Sequence, residues 1–209
     1  MKLQTVHLFL PERFTDLEPA FVLVAINTPP WQTLKRHYQV KTVAESRQAV
    51  TTAGGLTILP DMTIEELEPQ QSTLLILPGS DAWGQGKHTA ILEKAKAFLA
   101  AGVPVAAICG ATVGLARAGI LNELRHTSNV PEYLQGENYQ GEALYQNQPV
   151  VTDGNLITAS GLTPVDFAFH ILTKLEVYPP QVLEAWYRMY KASDPSAFFA
   201  LVKAAEAQG

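Results

Sequence analysis

Several features that are common in other protein classes are missing from this sequence, and each absence narrows the possibilities. The 209 residues contain one cysteine, Cys109, which excludes an internal disulfide framework and favours a reducing compartment. No hydrophobic run approaches the length of a transmembrane helix. The apolar run from Leu3 to Leu10 is interrupted by Pro11, too early for a signal peptide. We therefore expect a cytoplasmic protein with no membrane partner.

Basic clusters and phosphate-binding loops are missing as well. The formal net charge is −5 and no cluster of lysine and arginine stands out, so a nucleic-acid partner is not expected. Neither Gly54-Gly55 nor Gly84-Gln85-Gly86 has the spacing of a phosphate-binding loop. The five histidines are scattered without metal-ligand spacing. The sequence therefore predicts no nucleotide or other cofactor and no metal site.

The apolar segments alternate between strand-like runs and helix-like patterns. The strongest strands, residues 73–77 and 103–108, are solid apolar runs, which is typical of strands buried on both faces. This pattern predicts an α/β fold with a mostly parallel sheet covered by helices on both sides. We expect one domain over residues 1–209, of which about 177–209 form a helical extension. Ligands in such folds bind beyond the carboxyl ends of the strands.

Local signals predict the remaining elements. Thr15 and Glu18 have the spacing of a capping box, so a helix is expected from there to about Asn27, ended by Pro29-Pro30. Residues 82–86 are expected to form a glycine-containing loop. Further strands are predicted at residues 3–10, 38–44, 49–52 and 56–59, and a hairpin of two strands, 149–152 and 156–158, joined by a tight turn. Further helices are predicted at residues 61–67, 88–100 and 164–175.

The segment around Cys109 combines a buried strand with a helix of small residues. Gly110 follows the cysteine directly, and small or apolar residues continue at helical spacing to Ala118. A sharp turn from strand to helix at a nucleophile is the geometry of a nucleophile elbow. The N-terminus of the helix is expected to lower the pKa of the thiol. The alternative interpretation is a free cysteine packed as a small hydrophobic residue.

Four motifs in order resemble one known family. They are Asp16-Leu17-Glu18-Pro19, Leu77-Pro78-Gly79, Ala107-Ile108-Cys109-Gly110-Ala111 and residues 153–161, DGNLITASG. Together they resemble the ThiJ/PfpI family of intracellular protease-like or amidase-like proteins, in the class I glutamine amidotransferase-like superfamily, over about residues 3–176. The resemblance implies a flavodoxin-like three-layer sandwich and a homodimer.

The resemblance also implies roles for individual residues. Cys109 would be the nucleophile, and a protonated Glu18 would hydrogen-bond to its thiolate. The backbone N–H groups of Gly79 and Gly110 would form an oxyanion hole, with Ser80 beside them in the pocket. The alternatives from the residues alone are the capping box for Glu18 and an ordinary strand-ending turn for Gly79.

The general base is not evident. Many relatives carry a histidine shortly after the elbow helix, and here Asn129 occupies the corresponding position in the pocket. Asparagine cannot take a proton. His126 lies three residues earlier, which on a strand places it on the opposite face. That placement favours a solvated surface histidine. The alternative is that a one-residue change in the path of the loop brings His126 near the sulfur, so His126 remains a candidate base.

Three functions remain open. The first is a cysteine-dependent hydrolase or amidase, or a glyoxalase-like enzyme, that acts on a small carbonyl compound through Cys109. The second is a non-catalytic redox sensor or chaperone-like protein, which the replacement of histidine by Asn129 favours. The third is a binding protein that retains the fold without the chemistry. Glutamine amidotransferase activity is not expected, because His170 is followed at position 172 by leucine instead of glutamate.

Overall fold

A parallel sheet forms the centre of the molecule. The computed structural model describes residues 3–27, 31–32 and 37–206, so the predicted helix end at Pro29-Pro30 lies outside the described residues. The strands are β1 (Leu3–Phe9), β2 (His37–Ala44), β3 (Val50–Thr51), β4 (Thr57–Ile58), β5 (Met62–Thr63), β6 (Leu74–Leu77), β7 (Val105–Ile108), β8 (Val150–Asp153) and β9 (Leu156–Ala159). Seven of them form one sheet in the order β5-β2-β1-β6-β7-β9-β8. Only β8 is antiparallel to its neighbour in this sheet, and β3 pairs with β4 in a separate hairpin.

Six α-helices within the described residues flank the sheet and complete three layers. They are α1 (Leu17–Ile26), α2 (Thr89–Ala100), α3 (Gly110–Arg117), α4 (Pro164–Leu175), α5 (Pro180–Lys191) and α6 (Ser196–Glu206). Alternate residues of β6 and β7 point to opposite cores: Leu74 and Ile76 pack with α1, α4, α5 and α6, whereas Leu75 and Leu77 pack with α2 and α3. The prediction of a flavodoxin-like α/β sandwich with strands buried on both faces is therefore confirmed.

Two local predictions were wrong. The helix expected over residues 61–67 is instead the short edge strand β5 followed by turns, because Met62 and Thr63 pair with β2. The glycine-containing loop over residues 82–86 lies largely within a short 3-10 helix, Asp81–Gln85, whose first turn is capped by the Ser80 hydroxyl. The structure of both segments depends on contacts that cannot be predicted from the local sequence pattern.

Helices α5 and α6 share the core on one side of the sheet. Val182 and Trp186 of α5 and Leu201 of α6 are buried there with residues of α1 and α4. Within the described ranges, no helix has both the length and the apolar character needed to cross a membrane.

The topology brings several loops together at one edge of the sheet. β1, β6, β7 and β9 are parallel neighbours, so their carboxyl ends meet there. Cys109 directly follows β7, Gly79 follows β6 and Gly161 follows β9. This is the edge at which ligands bind in open α/β sheets.

Candidate active site

Cys109 sits in a strained turn between β7 and α3. Its backbone has φ 59° and ψ −128°, a conformation that residues with a side chain rarely adopt. The turn is held by the Cys109 N–H, which donates to the Ala159 carbonyl at 3.0 Å, and by the Thr112 hydroxyl, which donates to the Cys109 carbonyl at 2.6 Å. The predicted elbow geometry is present.

Three glycines leave the space that this turn needs. A Cβ on Gly79 would lie 2.9 Å from the Cys109 Cβ, and a Cβ on Gly161 would lie 2.9 Å from the Cys109 sulfur. A Cβ on Gly110 would lie 2.8 Å from the Ser80 carbonyl oxygen. Each distance is shorter than carbon atoms tolerate, so any side chain at these positions would move the turn.

Glu18 extends from α1 to the sulfur and does not form the capping box. Its side chain is only 2% exposed, and one carboxyl oxygen accepts the Gly79 N–H at 2.5 Å. The carboxyl group also hydrogen-bonds to the Cys109 side chain. The capping-box interpretation was wrong because the Glu18 carboxylate is buried and accepts a hydrogen bond from the N–H of Gly79, which lies 61 residues away in the chain.

The predicted oxyanion hole is only partly available. The Gly79 N–H is occupied by Glu18, so it has no donor left for a substrate oxygen. The Gly110 N–H hydrogen-bonds to the Cys109 side chain, and its role as an oxyanion donor stays a prediction. Ser80 lies beside the sulfur in the same cavity, with its hydroxyl bonded to the Glu12 carbonyl at 2.8 Å.

The amide side chain of Asn129 also contacts the Cys109 sulfur. Its side-chain Nδ2 lies 3.2 Å from the Cys109 Sγ. Its Oδ1 accepts the Gly161 N–H at 2.8 Å, and this bond fixes which end of the amide faces the sulfur. Asn129 therefore donates to the sulfur and can stabilise a thiolate, although it cannot remove a proton.

His126 does not reach the site. Its side chain is fully buried, with Nδ1 2.7 Å from the Leu124 carbonyl and Nε2 2.9 Å from the Tyr139 hydroxyl. His126 does not line the cavity that contains Cys109. Both expectations for this residue, a base and a solvated surface histidine, were therefore wrong, since Tyr139 and neighbouring chain enclose the ring.

The titrations of Cys109 and Glu18 are coupled. Burial, together with the negative charge of Glu18, raises the pKa of Cys109 to about 11, against the lowering effect of Asn129 and Gly110. Burial also raises the pKa of Glu18. The influence of the Glu18 charge vanishes when Glu18 is protonated, so the pKa of each group depends on the protonation state of the other. The pKa of this thiol therefore lies above its ordinary value instead of below it, as the sequence had led us to expect, because burial has the largest influence.

A cavity of about 640 Å³ opens above the sulfur. Cys109, Gly110, Ser80 and Asn129, four of the residues to which the resemblance gives roles, line it. Sequence reasoning missed other lining residues, including Arg13, Thr15, Arg117 and Tyr133. Arg13 and Thr15 lie in the loop after β1. The rule that ligands bind at the carboxyl ends of strands could have pointed to this loop, but it does not predict the orientation of the two side chains.

Comparison with known proteins identifies the family. The model of the DJ-1/PfpI family matches residues 5–174. The chain belongs to the DJ-1/PfpI family. YoaZ of Bacillus subtilis, named as an uncharacterized protease, is 38% identical over 205 residues, covering 97% of this chain and 98% of YoaZ.

Other members of the family agree with this assignment. A crystal structure of a ThiJ/PfpI family protein from Bacillus anthracis superposes with a TM-score of 0.92 at 37% identity, covering 98% of each chain. A protein of Pyrococcus abyssi that is named a deglycase is 29% identical over 150 residues, which are 71% of this chain and 84% of that protein.

Proposed function

We propose that this protein is an enzyme that attacks small carbonyl compounds with the thiolate of Cys109. The observation that carries the proposal is the sulfur itself, placed in a strained turn beside a cavity and contacted by Asn129, Gly110 and Glu18. Hydrogen-bond donors around a sulfur stabilise its anionic form, which is the nucleophile. A volume of about 640 Å³ suits a small molecule.

The chemistry begins with a bond between the Cys109 sulfur and the carbonyl carbon. The electron pair of the carbonyl moves to its oxygen, and we assign the Gly110 N–H as a hydrogen-bond donor to that oxygen. Glu18 holds the proton that the thiol has lost and returns it to the oxygen or to a leaving group. An aldehyde then gives a hemithioacetal, whereas an ester or amide gives a thioester that water hydrolyses.

The names of the relatives support carbonyl chemistry of one of these two kinds. YoaZ carries the name of a protease and the Pyrococcus abyssi relative that of a deglycase. The sequence alternatives of a hydrolase or amidase and a glyoxalase-like enzyme both use the same first step. Cys109 is the nucleophile in either reaction.

Turnover with and without the sulfur tests the proposal. Purified protein is incubated with glyoxal, methylglyoxal and a small activated ester, and substrate loss is measured in multiples of the enzyme concentration. We expect Cys109→Ser to lower the rate by about a thousandfold or more, because removal of a nucleophile abolishes covalent catalysis. The control Asn147→Ser changes an exposed residue away from the cavity. Equal rates in wild type and Cys109→Ser would contradict the proposal.

One observation favours a second function, a redox sensor. None of the histidines lines the cavity, so no imidazole is available there to accept a proton. The donors that stabilise a thiolate would also stabilise a sulfinate formed from Cys109 by peroxide. A sensor would consume two equivalents of peroxide per molecule, one to form the sulfenate and one to form the sulfinate, and would then stop, with no multiple turnover on any of the three carbonyl substrates.

We also propose that the protein acts as a cytoplasmic homodimer. Leu17 and Val24 on α1 are more than half exposed, at 55% and 59%, and such apolar side chains favour an interface between copies. Sedimentation velocity at micromolar concentration distinguishes a dimer from a monomer of 22.8 kDa.

A further inference from the structure

The arginines of this protein fall into two groups. Five are described, and three of them, Arg47, Arg125 and Arg188, form ion pairs with carboxylates. Among the described residues, Arg13 and Arg117 have no carboxylate partner, and both line the cavity that contains Cys109. Both described guanidinium groups without a carboxylate partner are therefore at the candidate active site.

The loop after β1 holds Arg13 in an unusual conformation. Its φ is 55°, in the left-handed region that residues with a side chain rarely occupy. The Arg13 N–H donates to the Thr51 carbonyl at 2.8 Å, and the preceding carbonyl, of Glu12, accepts the Ser80 hydroxyl at 2.8 Å. A strained conformation that its neighbours enforce often marks a functional position. The side chain carried by this strained residue lines the cavity.

Arg117 is anchored where Arg13 is not. Its Nη1 donates to the Gly84 carbonyl at 2.6 Å, so the guanidinium is fixed against the 3-10 helix. The Arg13 side chain makes no hydrogen bond within the described part of the chain, and its five donors remain for a ligand. Asp81 and Glu132 also line the cavity, so two negative charges accompany the two arginines. This balance suits a ligand with one negative charge better than a polyanion.

We infer that the cavity takes a small carbonyl compound that carries a carboxylate, and that Arg13 binds this carboxylate while Cys109 attacks the carbonyl carbon. The inference rests on the proposed function and adds the substrate class. The guanidinium fork matches the two oxygens of a carboxylate. In the attack a carbon–sulfur bond forms, the carbonyl electron pair moves to oxygen, and the proton held by Glu18 neutralises that oxygen. The product is a hemithioacetal, and no oxidant is needed.

Two alkylating reagents test the charge preference without requiring turnover. Iodoacetate and iodoacetamide have the same carbon skeleton, and each forms a carbon–sulfur bond with loss of iodide, but only iodoacetate is charged. The ratio of their rate constants is measured by intact mass, since Cys109 is the only cysteine. The same chain unfolded in urea supplies the reference ratio.

We expect the rate constant for iodoacetate, divided by that for iodoacetamide, to be higher in the folded protein than in the unfolded one. Arg13→Gln should lower the ratio by about two- to fivefold, which is the effect of a largely exposed ion pair. Arg13→Lys should give an intermediate ratio, and added salt should reduce the preference. Arg188→Gln, which removes the same charge on α5, should leave the ratio unchanged.

The outcomes separate this inference from the proposed function. An equal ratio in wild type and Arg13→Gln overturns the inference even if glyoxal is consumed. A ratio that depends on Arg13 supports the carboxylate site at Arg13 even if no carbonyl substrate turns over, in which case the proposed function fails and with it the attack on a carbonyl carbon. If the folded thiol resists both reagents, glyoxylate binding to Cys109→Ser, measured by saturation-transfer NMR, decides. Binding that Arg13→Gln abolishes supports the inference, and binding that persists, or no binding, overturns it.

Discussion

The amide of Asn129 makes the Cys109 sulfur more acidic than burial alone would allow. Its orientation is set by the Gly161 N–H, which donates to the Asn129 Oδ1 at 2.8 Å, and by the Ser160 hydroxyl, which donates to the same oxygen at 3.4 Å. Asn129→Asp keeps an acceptor for that N–H but replaces the donor at the sulfur with a charged oxygen. We expect the pKa of Cys109 to rise and alkylation at neutral pH to slow by about tenfold, the effect of one pKa unit.

The pH dependence of iodoacetamide alkylation measures this change. Asn147→Asp introduces the same charge at an exposed residue away from the cavity and should leave the profile near that of wild type. A profile of Asn129→Asp that overlies wild type would mean that the amide does not influence the sulfur.

At the level of elements, the contact between the elbow and the loop after β9 fixes the position of the sulfur. A Cβ on Gly161 would lie 2.9 Å from the sulfur and 3.3 Å from the Glu18 Oε1. We expect Gly161→Ala to displace the sulfur, to slow its alkylation, and to lower the free energy of unfolding by about 1–3 kcal/mol through overpacking.

Gly84 provides the matched control for this substitution. It lines the same cavity, but a Cβ there would meet nothing within 4 Å. Gly84→Ala should therefore change neither the alkylation rate nor the urea midpoint appreciably. Equal effects of the two substitutions would show that the close approach of Gly161 to the sulfur has no consequence.

Elements with a local origin could be predicted from the sequence, and elements with a distant partner could not. The strand–turn–helix at Cys109 follows from an apolar run and small residues that are adjacent in the chain. Glu18, by contrast, has a good local role as a capping residue, and Gly79 in another loop overrides it. His126 is likewise buried by Tyr139, 13 residues away. The edge strand β5 exists only because β2 is beside it.

For the molecule as a whole, the C-terminal helices are part of the stability of the fold. Trp186 on α5 is 1% exposed and lies in the core that also contains residues of α1 and α4. We expect Trp186→Ala to lower the free energy of unfolding by about 3–5 kcal/mol, the usual cost of removing a large buried aromatic side chain. Urea titration followed by circular dichroism provides the measurement.

An exposed aromatic residue of the neighbouring helix serves as the reference. Phe199 on α6 is 76% exposed, so Phe199→Ala should change the free energy of unfolding by no more than about 0.5 kcal/mol. If Trp186→Ala were as mild as Phe199→Ala, residues 180–206 would not share the core of the sheet.

The whole account depends on the proton that Glu18 and Cys109 share. Glu18→Gln keeps an acceptor for the Gly79 N–H and removes the charge that helps to raise the pKa of Cys109. With that charge absent, the thiol should ionise at a lower pH than in wild type, so the alkylation profile should shift toward acid.

The most direct test is therefore the pH profile of iodoacetamide alkylation at Cys109 in wild type and in Glu18→Gln, read by intact mass. The account predicts that the Glu18→Gln profile lies at lower pH than that of wild type. A profile that is unchanged, or shifted toward alkaline pH, would contradict the coupling of the two groups and with it the role of Glu18 in forming the nucleophile.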